Sequence, residues 1–176
     1  MKKTKKGAFS LIELMVVVVM LSVLVASVML VFRAILLASA SQQIRAGVSI
    51  DSDWLIEKMV RDLREAREMS SASGYNEIRF SPDGSNYSIY YLYNAADSYV
   101  PPPAFDQDSY QIKKATLTGG INGTFTYGAG TLVAFDCLAP PATNLSAAGN
   151  IATIDISIKR GDETIRSLSR VMPRNL

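Results

Sequence analysis

Nineteen consecutive residues, Leu14 through Phe32, carry no charged side chain. At about 1.5 Å per residue such a run makes a helix of roughly 28 Å, close to the hydrocarbon thickness of a bilayer. Ser22 and Ser27 are its polar members, and their hydroxyls can bond back to carbonyls one turn earlier. Lys2, Lys3, Lys5 and Lys6 stand before the run. The positive-inside rule keeps that end cytoplasmic and exports the remainder. The direct physical reading is a single-span membrane anchor with its C-terminal domain outside.

Composition removes most familiar chemistry. The 176 residues include no histidine, which excludes Ser-His-Asp and Cys-His catalysis, His-ligated zinc and His-ligated haem. One cysteine, Cys137, can form neither an internal disulfide nor a cysteine zinc cluster. It follows a strand-like segment and reads as a small buried hydrophobe. Hydrophobic residues at 48% and charged residues at 19% are too apolar for disorder. Charge is uneven along the chain. Without residues 1–8, which hold the four lysines, 14 basic side chains face 16 acidic ones, and the formal charge passes from +2 to −2.

Glu13 is the anomaly beside the apolar run. A carboxylate there costs on the order of 2–3 kcal/mol at mid-helix and less near the interface. Taken alone it fits a headgroup position at a helix N-terminus, where an acid is favourable. Its neighbours point further. Lys5-Lys6-Gly7-Ala8-Phe9-Ser10-Leu11-Ile12-Glu13-Leu14 resembles the leader and first mature residues of type IV prepilins and of type II secretion pseudopilins.

The resemblance covers about the first 32 residues and implies a specific history. A membrane prepilin peptidase would cut between Ala8 and Phe9 on the cytoplasmic face and methylate the new N-terminus at Phe9. Glu13 would become the fifth mature residue, poised to neutralise the terminal amine of a neighbouring subunit during assembly. The family usually has Gly immediately before the cut, whereas here Gly7 stands one place early and Ala8 intervenes. Cutting after Gly7 would put Ala8 first and Glu13 sixth, so the Ala8–Phe9 bond keeps both family features. Leu30 occupies a region where many major pilins carry a helix-bending proline. A rival reading is an ordinary secretory signal cut after Ala38-Ser39-Ala40, opposed by the length of the run and by Arg33.

Helical patterning continues past the anchor. Leu37, Ile44, Val48, Leu55, Met59, Leu63 and Ala66 fall on one face, and Glu57–Arg61, Arg61–Glu65 and Arg64–Glu68 have i,i+4 charge spacing. Helix is therefore expected from about Phe9 to about Met69. Asp62-Leu63-Arg64-Glu65-Ala66-Arg67 alternates acids with bases, the mark of a solvated face rather than a nucleic-acid site.

Strands and turns follow Gly74. Expected strands are Glu77–Ser81, Tyr87–Tyr93, Gln111–Thr118, Thr131–Asp136, Ile151–Lys159 and Glu163–Val171, with Pro140–Asn150 read as loop. Pro82-Asp83-Gly84-Ser85 and Arg160-Gly161-Asp162 read as reversals, and the last strand as an edge. Tyr87, Tyr90, Tyr91, Tyr93 and Tyr99 could form a sugar or nucleic-acid platform, but cross-strand packing is the simpler role. Ser98 to Ser109, with three prolines, reads as a stiff exposed loop. Asp83, Asp106 and Asp108 are the weak calcium candidates, and their spacing completes no calcium loop. No metal or other cofactor is expected. Lys113, Lys114, Lys159 and Arg160 are the one place where a basic patch could gather.

The C-terminal hairpin ending in Arg170 to Leu176, and an Ile78-x-Phe80 strand followed by a Gly turn and a Tyr-rich strand, resemble the minor pilin and pseudopilin branch. The expected fold is α+β: a long N-terminal helix with a transmembrane first half, packed against an antiparallel sheet. Expected segments are a leader at 1–8, a transmembrane helix at 9–33, its amphipathic continuation at 34–70 and an exported sheet domain at 71–176. The resemblance implies a non-enzymatic filament subunit. Its partners would be the prepilin peptidase, other pilin or pseudopilin subunits, an inner-membrane assembly platform and membrane lipid. The other readings kept open are an anchored, exported adhesin or DNA-uptake pilin, and an anchored enzyme.

Overall fold

The computed structural model of the chain describes residues 10–72, 74–97 and 105–174. Gly7, Ala8, Phe9, Tyr99 and the Pro101-Pro102-Pro103 run lie outside them. The chain divides into two compact units, one ending at Gln43 and one beginning at Ile44.

One helix, α1, runs through Leu11–Arg64 with no proline to interrupt it. In the first unit its side chains lie exposed. Val25, the least exposed large apolar side chain between Leu14 and Phe32, shows 49% of its surface. Ser22 and Ser27 bond back to Val19 O (2.7 Å) and Val23 O (2.8 Å), so neither hydroxyl is left unsatisfied in apolar surroundings. An unburied apolar helix of this length is able to cross a membrane.

In the second unit the same helix becomes one-sided. Val48, Ser52, Leu55, Met59 and Leu63 are buried, at spacings of three and four that make one stripe. Leu37 and Ile44 fall off that stripe, at 65% and 44% exposure, so the buried face begins at Val48 rather than Leu37. Ser52 belongs to it although polar. Its hydroxyl donates to Ser49 O (2.9 Å) and accepts from Ser167 Oγ (3.3 Å).

Among the described residues eight strands form an antiparallel sheet: β1 (Glu68–Ser70), β2 (Glu77–Ser81), β3 (Ser88–Tyr93), β4 (Tyr110–Thr116), β5 (Thr131–Cys137), β6 (Asn144–Ala148), β7 (Ile151–Arg160) and β8 (Glu163–Val171). Their order is β1-β2-β3-β4-β5-β7-β6, with β8 also paired to β7. β8 pairs along the whole length of one edge of β7, from Ala152↔Val171 to Arg160↔Glu163. β5 and β6 therefore share the other edge, β5 through Cys137↔Ile158 and β6 through Asn144↔Asp155 to Ala148↔Ile151. The curled sheet packs on α1, which is the expected α+β arrangement.

Two strands were not legible in the sequence. α1 closes at Arg64, five residues before the expected Met69, because Arg67 N donates to Ser81 O (2.7 Å) and β1 pairs with β2 through Glu68↔Ser81. Glu68 is thus a strand residue, and its expected helical pairing with Arg64 does not arise. The carbonyl of Arg64 at the helix end accepts from Arg174 N (3.0 Å) instead, so the C-terminal tail caps α1. β6 lies inside the expected Pro140–Asn150 loop. Its small residues Ser146, Ala147 and Ala148 have weak strand preference, and long pairing with β7 overrides it.

The main core joins the α1 stripe to Ile78, Phe80, Tyr90, Leu92, Ile112, Leu145, Ile154, Ile156 and Ile158. A second, smaller core lies on the other face of β3 and β4. There Ile89, Tyr91, Ala115 and Leu117 pack with Tyr87, Tyr93, Phe125 and Tyr127. Both faces of β3 are covered, as its unbroken run of bulky residues suggests. The covering segment, residues 117–130, depends on close backbone approaches. A Cβ on Gly123 would stand 2.2 Å from Thr118 O, beside the Thr118↔Thr124 bridge. We expect Gly123→Ala to open that bridge and destabilise the domain by about 1–3 kcal/mol, read as a lower urea midpoint of the detergent-solubilised chain. An unchanged midpoint would mean that the segment moves aside at no cost.

Candidate assembly helix and the domain that carries it

The helix start is built by Ser10, whose carbonyl accepts from Glu13 N (3.0 Å) and Leu14 N (3.1 Å). Glu13 therefore sits in the first turn, where the unsatisfied N–H groups favour a negative charge. Gly7, Ala8 and Phe9, the expected cleavage and methylation residues, fall outside the described residues. Leu14 and Phe32 bound the uncharged run and are both exposed, at 60% and 58%.

The C-terminal part of the helix is fastened to the sheet by a polar network as well as by the core. Asp62 on α1 accepts from Tyr90 Oη on β3 (2.6 Å) and from Lys114 Nζ on β4 (2.7 Å). The Lys114 ammonium also lies over the Phe80 and Tyr90 rings, at 5.3 and 5.6 Å from their centroids. Burial works to raise the Asp62 pKa. The hydrogen bonds from Lys114 and Tyr90, with the Lys114 charge, outweigh it and hold the carboxyl below its ordinary value. Burial, with the bond to Asp62, pushes the Tyr90 phenol far up. A carboxylate whose folded pKa is depressed stabilises fully above its unfolded value of about 4, and that contribution fades as pH falls through the folded value. Asp62→Asn should thus cost about 1–3 kcal/mol at pH 7. The gap from the unsubstituted chain should shrink by pH 3 in urea unfolding; a gap that holds at pH 3 would assign the effect to packing.

The other candidate residues are occupied locally or lie apart. Asp83 accepts from Ser85 N (2.8 Å), Asn86 N (2.7 Å), Asn86 Nδ2 (2.5 Å) and Ser81 Oγ (3.3 Å). These bonds make it the cap of the β2–β3 turn and push its pKa well down. Asp106 accepts from Gln107 Nε2 (3.0 Å), and Asp108 is exposed. Among the described residues no three Asp, Glu or Cys side chains are placed to hold a metal ion together. Three of the four residues from which a basic patch could gather are already engaged. Lys113 donates to Gly128 O (2.7 Å) over the Tyr93 ring, Lys114 is bound to Asp62, and Arg160 lies between Asp51 (3.4 Å) and Asp136 (3.5 Å).

The tyrosines serve packing, as their strand positions suggest. Tyr91 donates to Ala129 O (2.6 Å) and packs on Phe125 and Tyr127, with ring centroids at 4.7 and 5.7 Å. Burial raises its pKa to about 12. Cys137 is a buried free thiol, pushed up to about 12 by burial and the nearby Asp136, and is correspondingly unreactive. Polar residues that sequence reasoning missed include Glu77, buried beside Arg79 (2.6 Å), whose guanidinium also reaches Gly123 O (3.0 Å). The alternation Glu77, Arg79, Ser81 on the face opposite Ile78 and Phe80 was the available signal. An open groove of about 470 Å³ beside this pair is lined by Ser70, Tyr75, Arg79, Asn122, Thr124 and Phe125, among others.

An exposed apolar N-terminal helix whose continuation packs on a curled antiparallel sheet defines a pilin-like α+β protein. Its N-terminus carries the matching signal: the family model for the prokaryotic N-terminal methylation motif, the type IV prepilin-type signal, matches residues 3–29. The motif supports a pilin- or pseudopilin-like precursor and implies processing by prepilin peptidase and assembly with other pilins. No curated protein and no solved structure matches the chain.

Proposed function

We propose that the chain is a structural subunit, of the minor class, of a type IV pilus or a type II secretion pseudopilus. The observation that carries this reading is the methylation motif at residues 3–29, which runs into the apolar start of a helix able to span a membrane. Prepilin peptidase removes residues 1–8 and methylates Phe9. The subunit is stored in the inner membrane with its N-terminus cytoplasmic and the sheet domain outside. Assembly packs the apolar helices of neighbouring subunits together, with Glu13 neutralising a neighbour's terminal amine. Taking a roughly 19-residue apolar helix out of lipid is costly, so a replacement apolar environment and work from a cytoplasmic ATPase platform are both needed. The minor class is supported by the single cysteine, which leaves no C-terminal disulfide.

The N-terminal sequence and intact mass of protein recovered from its native membrane test this directly. We expect a chain beginning at Phe9 with one added methyl group. A chain beginning at Ser41 would indicate a secreted soluble domain, and an intact Met1 a plain membrane anchor. Either would overturn the filament reading.

A further inference from the structure

Nothing in the filament reading uses the groove beside Glu77 and Arg79. Its volume of about 470 Å³ falls within the roughly 300–1,000 Å³ of small-molecule sites. The floor is Arg79 on β2. Ser70 at the end of β1, with Ser71 and Tyr75, forms one wall. Asn122, Thr124 and Phe125, from the segment that covers the smaller core, form the other.

The floor is fixed and electrically neutral. A guanidinium has five N–H groups in a rigid fork. Arg79 Nε donates to Glu77 (2.6 Å), and Nη1 donates to Ile121 O (3.5 Å) and Gly123 O (3.0 Å). Nη2 keeps its N–H groups without a partner among the described residues. No buried side-chain nitrogen or oxygen among those residues lacks a partner, so Nη2 is open to the groove that Arg79 lines. Glu77 is fully buried and offsets the guanidinium charge at contact distance.

The walls are held by the chain itself. Thr118 N donates to Thr124 O (2.9 Å), Thr124 N to Thr118 O (3.0 Å) and Gly123 N to Gly120 O (3.0 Å). Phe125 is braced by Tyr91, with ring centroids 4.7 Å apart. The side chains of Ser70, Ser71, Asn122 and Thr124 have no hydrogen-bond partner among the described residues. Three hydroxyls and an amide therefore offer donors and acceptors together to whatever enters.

This lining selects by chemistry. An anion would find the guanidinium charge already offset by Glu77, and a cation would find that carboxylate out of reach. A neutral ligand rich in hydroxyls can bond to the free groups without the cost of stripping water from a charge. Tyr75 and Phe125 supply apolar surface for the C–H face of a sugar ring. We infer that the groove binds a neutral saccharide, with Arg79 Nη2, Asn122 and Thr124 bonding its hydroxyls. This is a second function of the chain, and it does not depend on the filament reading.

The test uses the full chain in a detergent without a sugar headgroup, so that the solubilising agent is not itself a probe. An array of neutral oligosaccharides built from hexoses and N-acetylhexosamines should retain the chain on a subset of its members. Titration with the best of these should give an affinity that does not change with salt. Asn122→Ala removes an exposed side chain with no partner in the fold and should weaken that affinity about fivefold. Thr124→Val, which keeps the shape of the residue, should weaken it too. Leu168→Ala, at an exposed site on β8, should leave it unchanged. Equal rates of Cys137 labelling in the four proteins establish that the domain is intact. If one groove variant labels faster, the other carries the comparison. Failure of every neutral oligosaccharide to retain the chain overturns the inference. Binding that neither groove variant weakens overturns it as well, because the sugar then sits elsewhere. Retention on acidic oligosaccharides alone, weakening as salt rises, overturns the choice of a neutral ligand.

Discussion

Replacing Glu13 with Val should leave the chain in the membrane and remove it from filaments. The carboxylate adds cost to insertion, so its loss makes the apolar segment no worse a membrane span. In the assembled state the same change strips the counter-charge from a buried cation. Breaking one side of a buried ion pair costs about 3–5 kcal/mol, and each 1.4 kcal/mol is a factor of ten. We therefore expect assembly to fall by about a hundredfold or more. The check is the amount of subunit in sheared filaments against the amount in the membrane fraction. Normal filament yield from the Val variant would remove Glu13 from the assembly mechanism. A loss from both fractions would assign it to insertion or turnover instead.

The second large effect is expected in the sheet domain. Leu63 is fully buried and shares one core with Ile78, Phe80, Leu145 and Ile154. Truncating such a residue removes transfer free energy and leaves a cavity, for about 2–5 kcal/mol in total. Most domains hold only about 5–15 kcal/mol, so the native state of Leu63→Ala should open far more often. Cys137 reports that opening, because its thiol is buried and labels only when the domain opens. In detergent, labelling should accelerate by about thirtyfold or more at neutral pH, the equivalent of 2 kcal/mol. Leu37→Ala is the comparison: Leu37 is exposed, and its truncation should leave the labelling rate unchanged. Equal rates for the two variants would mean that the α1 stripe does not hold the domain together.

Much of this architecture follows from local pattern, and the exceptions have physical causes. The residues Glu77–Ser81 and Glu163–Val171 were expected as strands with these same bounds, because alternation and a Gly-containing reversal are local signals. Ile154, Ile156 and Ile158 enter the core as their alternation implies. Asp155 and Ser157, on the other face, are buried too. Arg166 on β8 covers Asp155 (2.8 Å), and Ser157 donates to Ala142 O (2.7 Å) in the segment preceding β6. Neither partner is near in sequence, so neither burial could be read from the strand itself.

The same distinction separates the two ends of the candidate site. The N-terminal lysines, Glu13 and an uncharged 19-residue run act through side-chain identity and helix length, and both are written in the order of residues. These determined by themselves that the chain can span a membrane and that it carries the prepilin-type signal. Where α1 stops was decided by tertiary structure. Residues 65–69 have ordinary helical composition, but β2 offers them a ladder, and Arg67 and Glu68 take it. Likewise Lys114 looks like a free charge in the sequence but is consumed by Asp62, 52 residues away. Asp83 is the local case, consumed by the turn it caps. Short-range geometry needs only neighbouring residues, whereas the partner of a strand edge or a buried charge is chosen by whichever distant segment the sheet brings beside it.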